Sequence, residues 1–320
     1  MNSERTIKEI LWDEEYIEDP DLLMLSGIGL LEFEEVKSIW DLMNDESLVS
    51  ILSRLKVLAD TNISFDFSTV FKSMLLHESE QIKLKAIDGL WENEDRSLIA
   101  VFTSFISKDE SQSIRLASAD CLEKFLERSR VVPYPKRHLN LLKSTLLKIL
   151  SEEIDSPQLL RQRALEMIGY FDGEEINTLI KNAFFSDNIR VKSSSIRAMG
   201  ISSNPIWLSL ILSDLDDVYP SITVSSIEAV GMLGDGDYAN WLMKYLSDED
   251  VDIQIASVKS LGIIGNEVAR GAILQFVDEL QEFDEELDDD LLAAINVAIQ
   301  AMDFDESPLD MQVDYKDYLQ

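Results

Sequence analysis

A ten-residue motif returns along the chain at a fixed spacing, and a fixed spacing restricts a chain to a small set of repeat folds. Position 0 of the motif is Leu or β-branched, position 4 is small, positions 5 and 8 are apolar, position 7 is usually small and position 9 is glycine. The clear copies begin at Leu160, Val191, Ile222 and Ile253, in three equal steps of 31 residues. Weaker copies begin at Ile82, Ile114 and Leu291. The spacing indicates a repeated unit of about 31 residues.

The motif has the periodicity of a helix. Positions 0, 4, 5 and 8 lie on one face of an α-helix, and this face is apolar or small. A second amphipathic segment, such as residues 176–185, separates each motif from the next. One helix pair cannot bury its own apolar face, whereas stacked pairs form a continuous core. The sequence therefore predicts an all-α fold, a right-handed α-α superhelix of about seven helix pairs.

Small residues in the motif indicate close packing between helices. Position 4 is Ala86, Ala164, Ser195, Ser226 and Ser257 in five copies. Position 9 is Gly169, Gly200, Gly231 and Gly262 in the four clear copies. Glycine there fits either a left-handed helix end or a tight contact with the next helix. Short acceptors in the turns, Asp187, Asp237 and Asp250 among them, are predicted to cap the following helices.

The segments LLRQRALEMIG, IRVKSSSIRAMG and DVDIQIASVKSLGIIG resemble the short HEAT repeats of phycobilisome-lyase-like proteins. The resemblance covers roughly residues 65–300 and implies a HEAT-like solenoid, but repeat type says little about function. The basic residue that the family places at position 1 is present in Lys83, Arg115, Arg161 and Lys192. It is replaced by Thr223 and Gln254, so the later repeats depart from the pattern.

The chain divides into three parts on this pattern. We expect capping helices in residues 1–64, the repeat array in residues 65–302, and an acidic, flexible tail in residues 303–320. The tail interleaves apolar residues with acids, which leaves open whether it docks or only keeps the protein soluble.

The net charge of −33 is distributed unevenly. It amounts to −12 over residues 1–80, +1 over residues 81–200 and −22 over residues 201–320. An acidic surface repels polyphosphate backbones, which argues against nucleic-acid binding. Such a charge is typical of a highly solvated surface that resists aggregation, and the alternative is a surface that attracts a basic protein partner. The single cysteine and the absence of a stretch of about 20 apolar residues lead us to expect a cytoplasmic protein that does not span a membrane.

Candidate chemistry is scarce. The chain has two histidines, and only His77 and Glu78 form a pair, which cannot build the di-iron centre of the HEAT-like deoxyhypusine hydroxylases. Cys121 occupies the small position 7 of its motif, where a buried thiol is more typical than a nucleophile. We predict a non-catalytic protein with neither metal nor cofactor. The alternative, by repeat type, is a phycobilin lyase-like protein or a cofactor chaperone.

The predicted function is therefore a scaffold or adaptor that binds a partner protein on the concave face formed by the motif helices. Exposed motif positions supply candidate contacts at Arg161, Arg163, Lys192, Arg197, Glu228 and Lys259. A ladder of bonds from the basic residues to neighbouring turn aspartates is an equal alternative. The longer step between Ile114 and Leu160 contains VVPYPKRHLN, interpreted as a solvent-facing connection or contact loop that adds Tyr134, Lys136 and Arg137.

Overall fold

The computed structural model describes residues 17–108, 111–152, 155–213, 218–282 and 288–306, and these residues form α-helices and 3-10 turns without a β-strand. The chain separates into two compact units, residues 1–164 (unit 1) and 165–320 (unit 2). Most of the predicted acidic tail, residues 307–320, lies outside the described residues. The predicted three-part division of the chain stays a prediction.

The helices of unit 1 are α1 (Asp19–Leu22), α2 (Leu30–Trp40), α3 (Asp45–Thr61), α4 (Ser68–Met74), α5 (Glu80–Gly89), α6 (Leu98–Lys108), α7 (Gln112–Ser129) and α8 (Lys136–Leu150). The next helix, α9 (Gln158–Ile168), contains the boundary between the units. Those of unit 2 are α10 (Glu174–Phe184), α11 (Ile189–Ile201), α12 (Leu208–Leu212), α13 (Pro220–Leu233), α14 (Ala239–Leu242), α15 (Val251–Ile264), α16 (Glu267–Glu282) and α17 (Asp289–Glu306).

Motif helices alternate with partner helices along the described chain. The seven motif copies fall on the odd-numbered helices from α5 to α17, and an even-numbered helix precedes each of them. The described residues therefore contain seven helix pairs, from α4–α5 to α16–α17, preceded by α1–α3. The predicted all-α helical-repeat fold is confirmed.

Unit 1 contains two successive helix contacts, in which α3 packs against the motif helix α5, and α5 packs against the motif helix α7. The partner helix α6 contacts both α7 and α8. Position 0 of both motif helices, Ile82 and Ile114, is buried together with the large side chains of Phe33, Trp40 and Phe102. The apolar stripe predicted from the motif is therefore the core of this unit.

Unit 2 repeats the same arrangement more regularly. Helices α11 and α13, α13 and α15, and α15 and α17 pack side by side. The small residues at position 4, Ser195, Ser226 and Ser257, are completely buried between them. Small side chains at these positions allow the helices to approach closely.

The glycines at position 9 serve tight helix contacts rather than left-handed helix ends. Gly200, Gly231 and Gly262 lie within helices and do not have the positive φ found at Gly265, the C-cap of α15. A Cβ added to Gly231 would lie 2.5 Å from Ser260 Cβ, and one added to Gly262 would lie 2.8 Å from Ala298 Cβ. Gly200 faces Ala229 in the same way. In each case position 9 of one motif helix meets the small position 7 of the next.

The predicted caps are partly correct. Asp250 caps α15 by accepting a hydrogen bond from the amide of Asp252. The side chain that caps α11 belongs to Asn188 rather than Asp187, and Asp235 rather than Asp237 accepts the amide bond in the turn before α14. Each turn offers two neighbouring acceptors, and the sequence does not distinguish which of them precedes the first helical residue.

The segment VVPYPKRHLN is not a loop over its whole length. Helix α8 begins at Lys136, with Pro135 as its N-cap residue, so Lys136 and Arg137 are helical. The fixed φ of proline is compatible with a helix start as well as with an extended chain. The longer repeat step comes mainly from long helices, since α7 has 18 residues and α8 has 15.

No helix in the described ranges combines the length and apolar character needed to cross a bilayer.

Candidate functional site

Position 6 of successive motif helices forms a row of side chains along one face of unit 2. The row consists of Glu166, Arg197, Glu228, Lys259 and Val297, on α9, α11, α13, α15 and α17. Acidic and basic residues alternate along its first four members. Three of these four, Arg197, Glu228 and Lys259, are contact residues predicted from the sequence.

Arg197 links the row through two carboxylates. Its Nη1 atom lies 3.7 Å from Glu166 Oε1, and its Nε atom lies 3.4 Å from Glu228 Oε2. Glu166 is only 5% exposed, and the Ser194 hydroxyl donates a 2.8 Å hydrogen bond to its carboxylate. The hydroxyl donor and the nearby guanidinium stabilise the buried carboxylate of Glu166, and these contacts hold Glu166, Arg197 and Glu228 in a defined arrangement.

The side chains at position 10, one helical turn after position 6, form an apolar row on the same face of unit 2. Ile201 is 9% exposed, but Met232 and Ile263 are 46% and 59% exposed. Gly200 makes room for Met232, because a Cβ on the glycine would lie 3.3 Å from the Met232 sulfur. Exposed large apolar side chains at equivalent positions of neighbouring helices form a patch rather than isolated residues.

The apolar row and the row at position 6 are adjacent on α13 and α15, and on α17 the residue at position 6 is itself apolar. Lys259 and Ile263 are one turn apart on α15, and Val297, at position 6 of α17, is 67% exposed. We call Met232, Lys259, Ile263 and Val297 the unit 2 patch. The motif pattern does not single out its three apolar members. Met232 and Ile263 share one sequence signal with Tyr170 and Ile201, since all four follow a motif glycine directly.

The other predicted motif contacts are engaged by neighbouring side chains. In unit 1, Arg161 Nη1 lies 2.7 Å from Glu152 Oε1, and Arg163 Nε lies 3.4 Å from Asp120 Oδ1. In unit 2 the Lys192 ammonium lies 5.2 Å from the centre of the Phe184 ring.

These contacts correct the expected ladder to turn aspartates. Asp120, Glu166 and Glu228 lie on motif helices, and Glu152 is a turn residue but not an aspartate. Burial raises the pKa of Asp120, and the charge of Arg163 acts in the opposite direction. The guanidinium thus compensates a partly desolvated carboxyl group.

The three candidates near the start of α8 differ in exposure. Tyr134 is half-buried, with its ring edge-on to Phe125 at 6.0 Å between centroids and with the guanidinium of Arg96 5.4 Å from its ring centre. Lys136 and Arg137 are exposed. The structure therefore gives Tyr134 a packing role and leaves the two basic residues at the surface.

The only cysteine of the sequence, Cys121, is buried in unit 1. Burial raises the pKa of the Cys121 thiol to about 12, assisted by the charges of Asp120 and Asp88, so the thiolate is scarcely populated at neutral pH. No group of three or more His, Cys, Asp and Glu residues in the described ranges is arranged to hold a metal ion.

Comparison with solved structures finds similar helical chains. The phycocyanin lyase complex of CpcE and CpcF from Nostoc sp. PCC7120 is 15% identical with a TM-score of 0.47, covering 73% of this chain and 94% of that one. An engineered protein is 12% identical with a TM-score of 0.42, covering 93% and 88%. YibA of E. coli is 12% identical with a TM-score of 0.33, covering 81% and 97%.

No protein-family model matches the chain, and no curated protein matches it either.

Proposed function

We propose that the protein is a non-catalytic interaction scaffold that binds a partner protein through the unit 2 patch. The observation that carries the proposal is the exposure of Met232, Ile263 and Val297 on three successive motif helices, beside an ordered row of charges. Exposed apolar side chains surrounded by polar ones are typical of protein-binding surfaces.

The patch combines a source of affinity with a source of specificity. Complete burial of an apolar side chain of this size stabilises a complex by about 1.5–3 kcal/mol, and these side chains are roughly half exposed, so each contributes about 1 kcal/mol. Arg197, Glu228 and Lys259 fix the orientation of the partner through charge complementarity. Because all these residues lie on packed helices, little backbone conformational entropy is lost on binding.

A basic partner suits the surroundings of the patch. The 120 residues that contain most of unit 2, residues 201–320, carry a net charge of −22. Such a surface attracts a basic protein over distances of about a Debye length, roughly 8 Å at physiological ionic strength. The apolar contacts then determine how long the complex lasts.

Site-specific photo-cross-linking in the native host tests the proposal. A photoreactive amino acid replaces Ile263, and in a second sample it replaces Ile206, which is similarly exposed at 61% but lies outside the motif helices of unit 2. We expect one protein to be cross-linked from position 263 and not from position 206. The additional substitution Met232→Ser should reduce its yield severalfold. Equal cross-linking from both positions, or none from position 263, contradicts the proposal.

The lyase-like or cofactor-chaperone alternative is tested on the same purified protein. A bound linear tetrapyrrole gives visible absorbance that denaturation in acid changes, whereas a protein scaffold is colourless. Visible absorbance in stoichiometric amount together with absent cross-linking would replace the scaffold proposal by the alternative.

A further inference from the structure

The strongest basic feature of this acidic chain lies in unit 1, away from the residues of the unit 2 patch along the sequence. From Arg128 to Ser151 the chain contains six Lys or Arg residues and no Asp or Glu, although acidic residues make up 61 of all 320. Helix α8 occupies most of this segment. Its side chains show whether the positive charge is available to a partner.

One face of α8 is buried and the opposite face is exposed and basic. Leu142, Leu146 and Ile149 are buried. The exposed side chains of α8 are Lys136, Arg137, Asn140, Leu141, Ser144 and Lys148, and we call these the α8 face. Its first and last members are separated by 12 residues, about 18 Å along the helix axis.

The cations of the α8 face differ from seven other cations of unit 1 in their surroundings. In those seven, a side-chain nitrogen lies within 4.0 Å of a carboxylate oxygen. They are Arg54, Lys56, Lys72, Lys124, Arg128, Arg161 and Arg163. Among the carboxylates that the structure describes, none lies that close to the side-chain nitrogens of Lys136, Arg137 or Lys148. The positive charge of the α8 face is therefore not neutralised by an ion pair with the described part of the chain.

Apolar side chains flank these cations. Leu141 is 46% exposed in the middle of the α8 face, and Val131 and Val132, just before the helix, are 87% and 42% exposed. A surface that combines unneutralised cations with aliphatic groups suits an acidic peptide with apolar residues at intervals. It suits single-stranded nucleic acid less, because base stacking needs free aromatic rings and Tyr134 is already packed against Phe125 and Arg96.

We propose that the α8 face is a second binding surface, which takes an acidic, amphipathic segment of another protein. Carboxylates of that segment pair with Lys136, Arg137 and Lys148, and its apolar residues contact Leu141. A second copy of this chain is a poorer occupant, because two molecules of net charge −33 repel each other. The proposal is independent of the unit 2 patch, which involves other residues and other chemistry.

Fluorescence anisotropy with the full-length protein tests this proposal. The probe is a fluorescein-labelled peptide of about 18 residues, composed of Asp, Glu, Leu and Phe with the apolar residues three to four positions apart. The comparison probes are the same peptide with Asn and Gln in place of Asp and Glu, and an oligonucleotide of the same net charge. We expect the acidic peptide to bind more tightly than either, and to bind more weakly when NaCl is raised from about 50 to about 300 mM.

Two triple variants separate the α8 face from net charge. The first triple variant combines Lys136→Glu, Arg137→Glu and Lys148→Glu, and it should bind the acidic peptide more than about tenfold more weakly. The matched control, Lys37→Glu, Lys181→Glu and Arg190→Glu, changes the net charge equally at exposed positions elsewhere and should weaken binding by less than about threefold. Hydrogen exchange on the unaltered protein supplies a readout independent of these variants, with the peptide slowing exchange in residues 136–150.

Several results would overturn the proposal. These are no binding of the acidic peptide, equal weakening in the two triple variants, unchanged exchange in α8, or tighter binding of the oligonucleotide. Dimerisation of the free protein with slowed exchange in α8 would also overturn it, because the surface would then belong to a second copy of the chain.

Discussion

Individual side chains in this protein follow the motif closely enough that equivalent positions make equivalent contacts. Cys121 and Ser260 both occupy position 7, and each directs its side chain at the carbonyl of position 5 on the preceding motif helix. The Cys121 sulfur lies 4.0 Å from the Ile87 oxygen, and the Ser260 hydroxyl lies 3.0 Å from the Ile227 oxygen. The thiol therefore fills a packing position, as the sequence predicted.

The burial of Cys121 leads to a prediction about thiol reactivity. Because the side chain is 2% exposed and its pKa is raised to about 12, a thiol reagent at pH 8 should not modify the folded protein within hours. The same reagent in about 6 M guanidinium chloride should modify one thiol per chain within minutes. Rapid modification of the folded protein, measured by mass spectrometry, contradicts the described burial.

A surface ion pair predicts a specific pH dependence. The Lys72 ammonium, which donates a 2.7 Å hydrogen bond, lowers the pKa of Asp95 to about 2 from its ordinary value of 3.8. A lowered folded pKa stabilises the folded state above about pH 4, and this contribution is lost as the pH falls towards 2. Asp95→Asn should lower the free energy of unfolding at pH 7 by at most about 1 kcal/mol, because both groups are well exposed to solvent.

Urea unfolding at several pH values measures this effect. The difference in the free energy of unfolding between the unaltered protein and the Asp95→Asn variant should shrink as the pH falls below 4. Lys72→Met, which removes the other partner, should show the same trend. A difference that stays constant down to pH 2 would show that the ion pair is not its source.

At the scale of the helices, contact between position 9 and position 7 determines how closely neighbours approach. Gly231→Ala would place a Cβ against the Cβ and Cα atoms of Ser260, so the helices would have to separate. We expect a loss of about 1–3 kcal/mol in the free energy of unfolding. Gly271, inside α16, has no atom within 4 Å of an added Cβ, and Gly271→Ala should stabilise the protein by about 0.5–1 kcal/mol. Urea unfolding of both variants distinguishes packing from helix propensity, and a loss of similar size in both contradicts the packing argument.

A double-mutant cycle tests the same type of contact, between Gly262 and Ala298, by rescue. Gly262→Ala would bring its Cβ within 2.8 Å of Ala298 Cβ, and Ala298→Gly removes that atom. The double variant should be more stable than the sum of the two single effects indicates, by about 1 kcal/mol. Strict additivity of the two effects would show that the clash is relieved by movement of the helices instead.

The element scale also shows how far the sequence alone could lead. The 31-residue spacing was enough to predict the motif helices, and the offset of six within each copy was enough to single out Arg197, Glu228 and Lys259. Met232 and Ile263 follow the motif glycine, at which the repeated pattern ends, so the sequence does not single them out. For Lys136 and Arg137 the sequence leaves two possibilities, because proline is compatible with both an extended chain and a helix start, and only the packing of α8 against α6 decides between them.

For the whole molecule, the net charge of −33 has a thermodynamic consequence. Like charges repel more in the compact folded state than in the expanded unfolded state, and salt reduces this repulsion. We expect the melting temperature to rise by several degrees when NaCl is raised from about 20 to about 500 mM. Potassium chloride should act equally, since the effect is general screening. A falling melting temperature would mean that the ion pairs, which salt weakens, outweigh the repulsion.

The repeated contact between glycine and a small side chain also bears on how such a chain can change its length. In unit 2 four such contacts join Gly169 to Ala198, Gly200 to Ala229, Gly231 to Ser260 and Gly262 to Ala298, and all use the same two motif positions. Any motif helix that carries glycine at position 9 can therefore be followed by any other that carries Ala or Ser at position 7. If one complete 31-residue unit is gained or lost, the motif helices on either side of the change still meet through a glycine at position 9 and a small residue at position 7. Recombination in whole repeats is consequently the least disruptive way for unit 2 to become longer or shorter. Each such change alters, by one repeat, the separation between the residues before it and the residues after it.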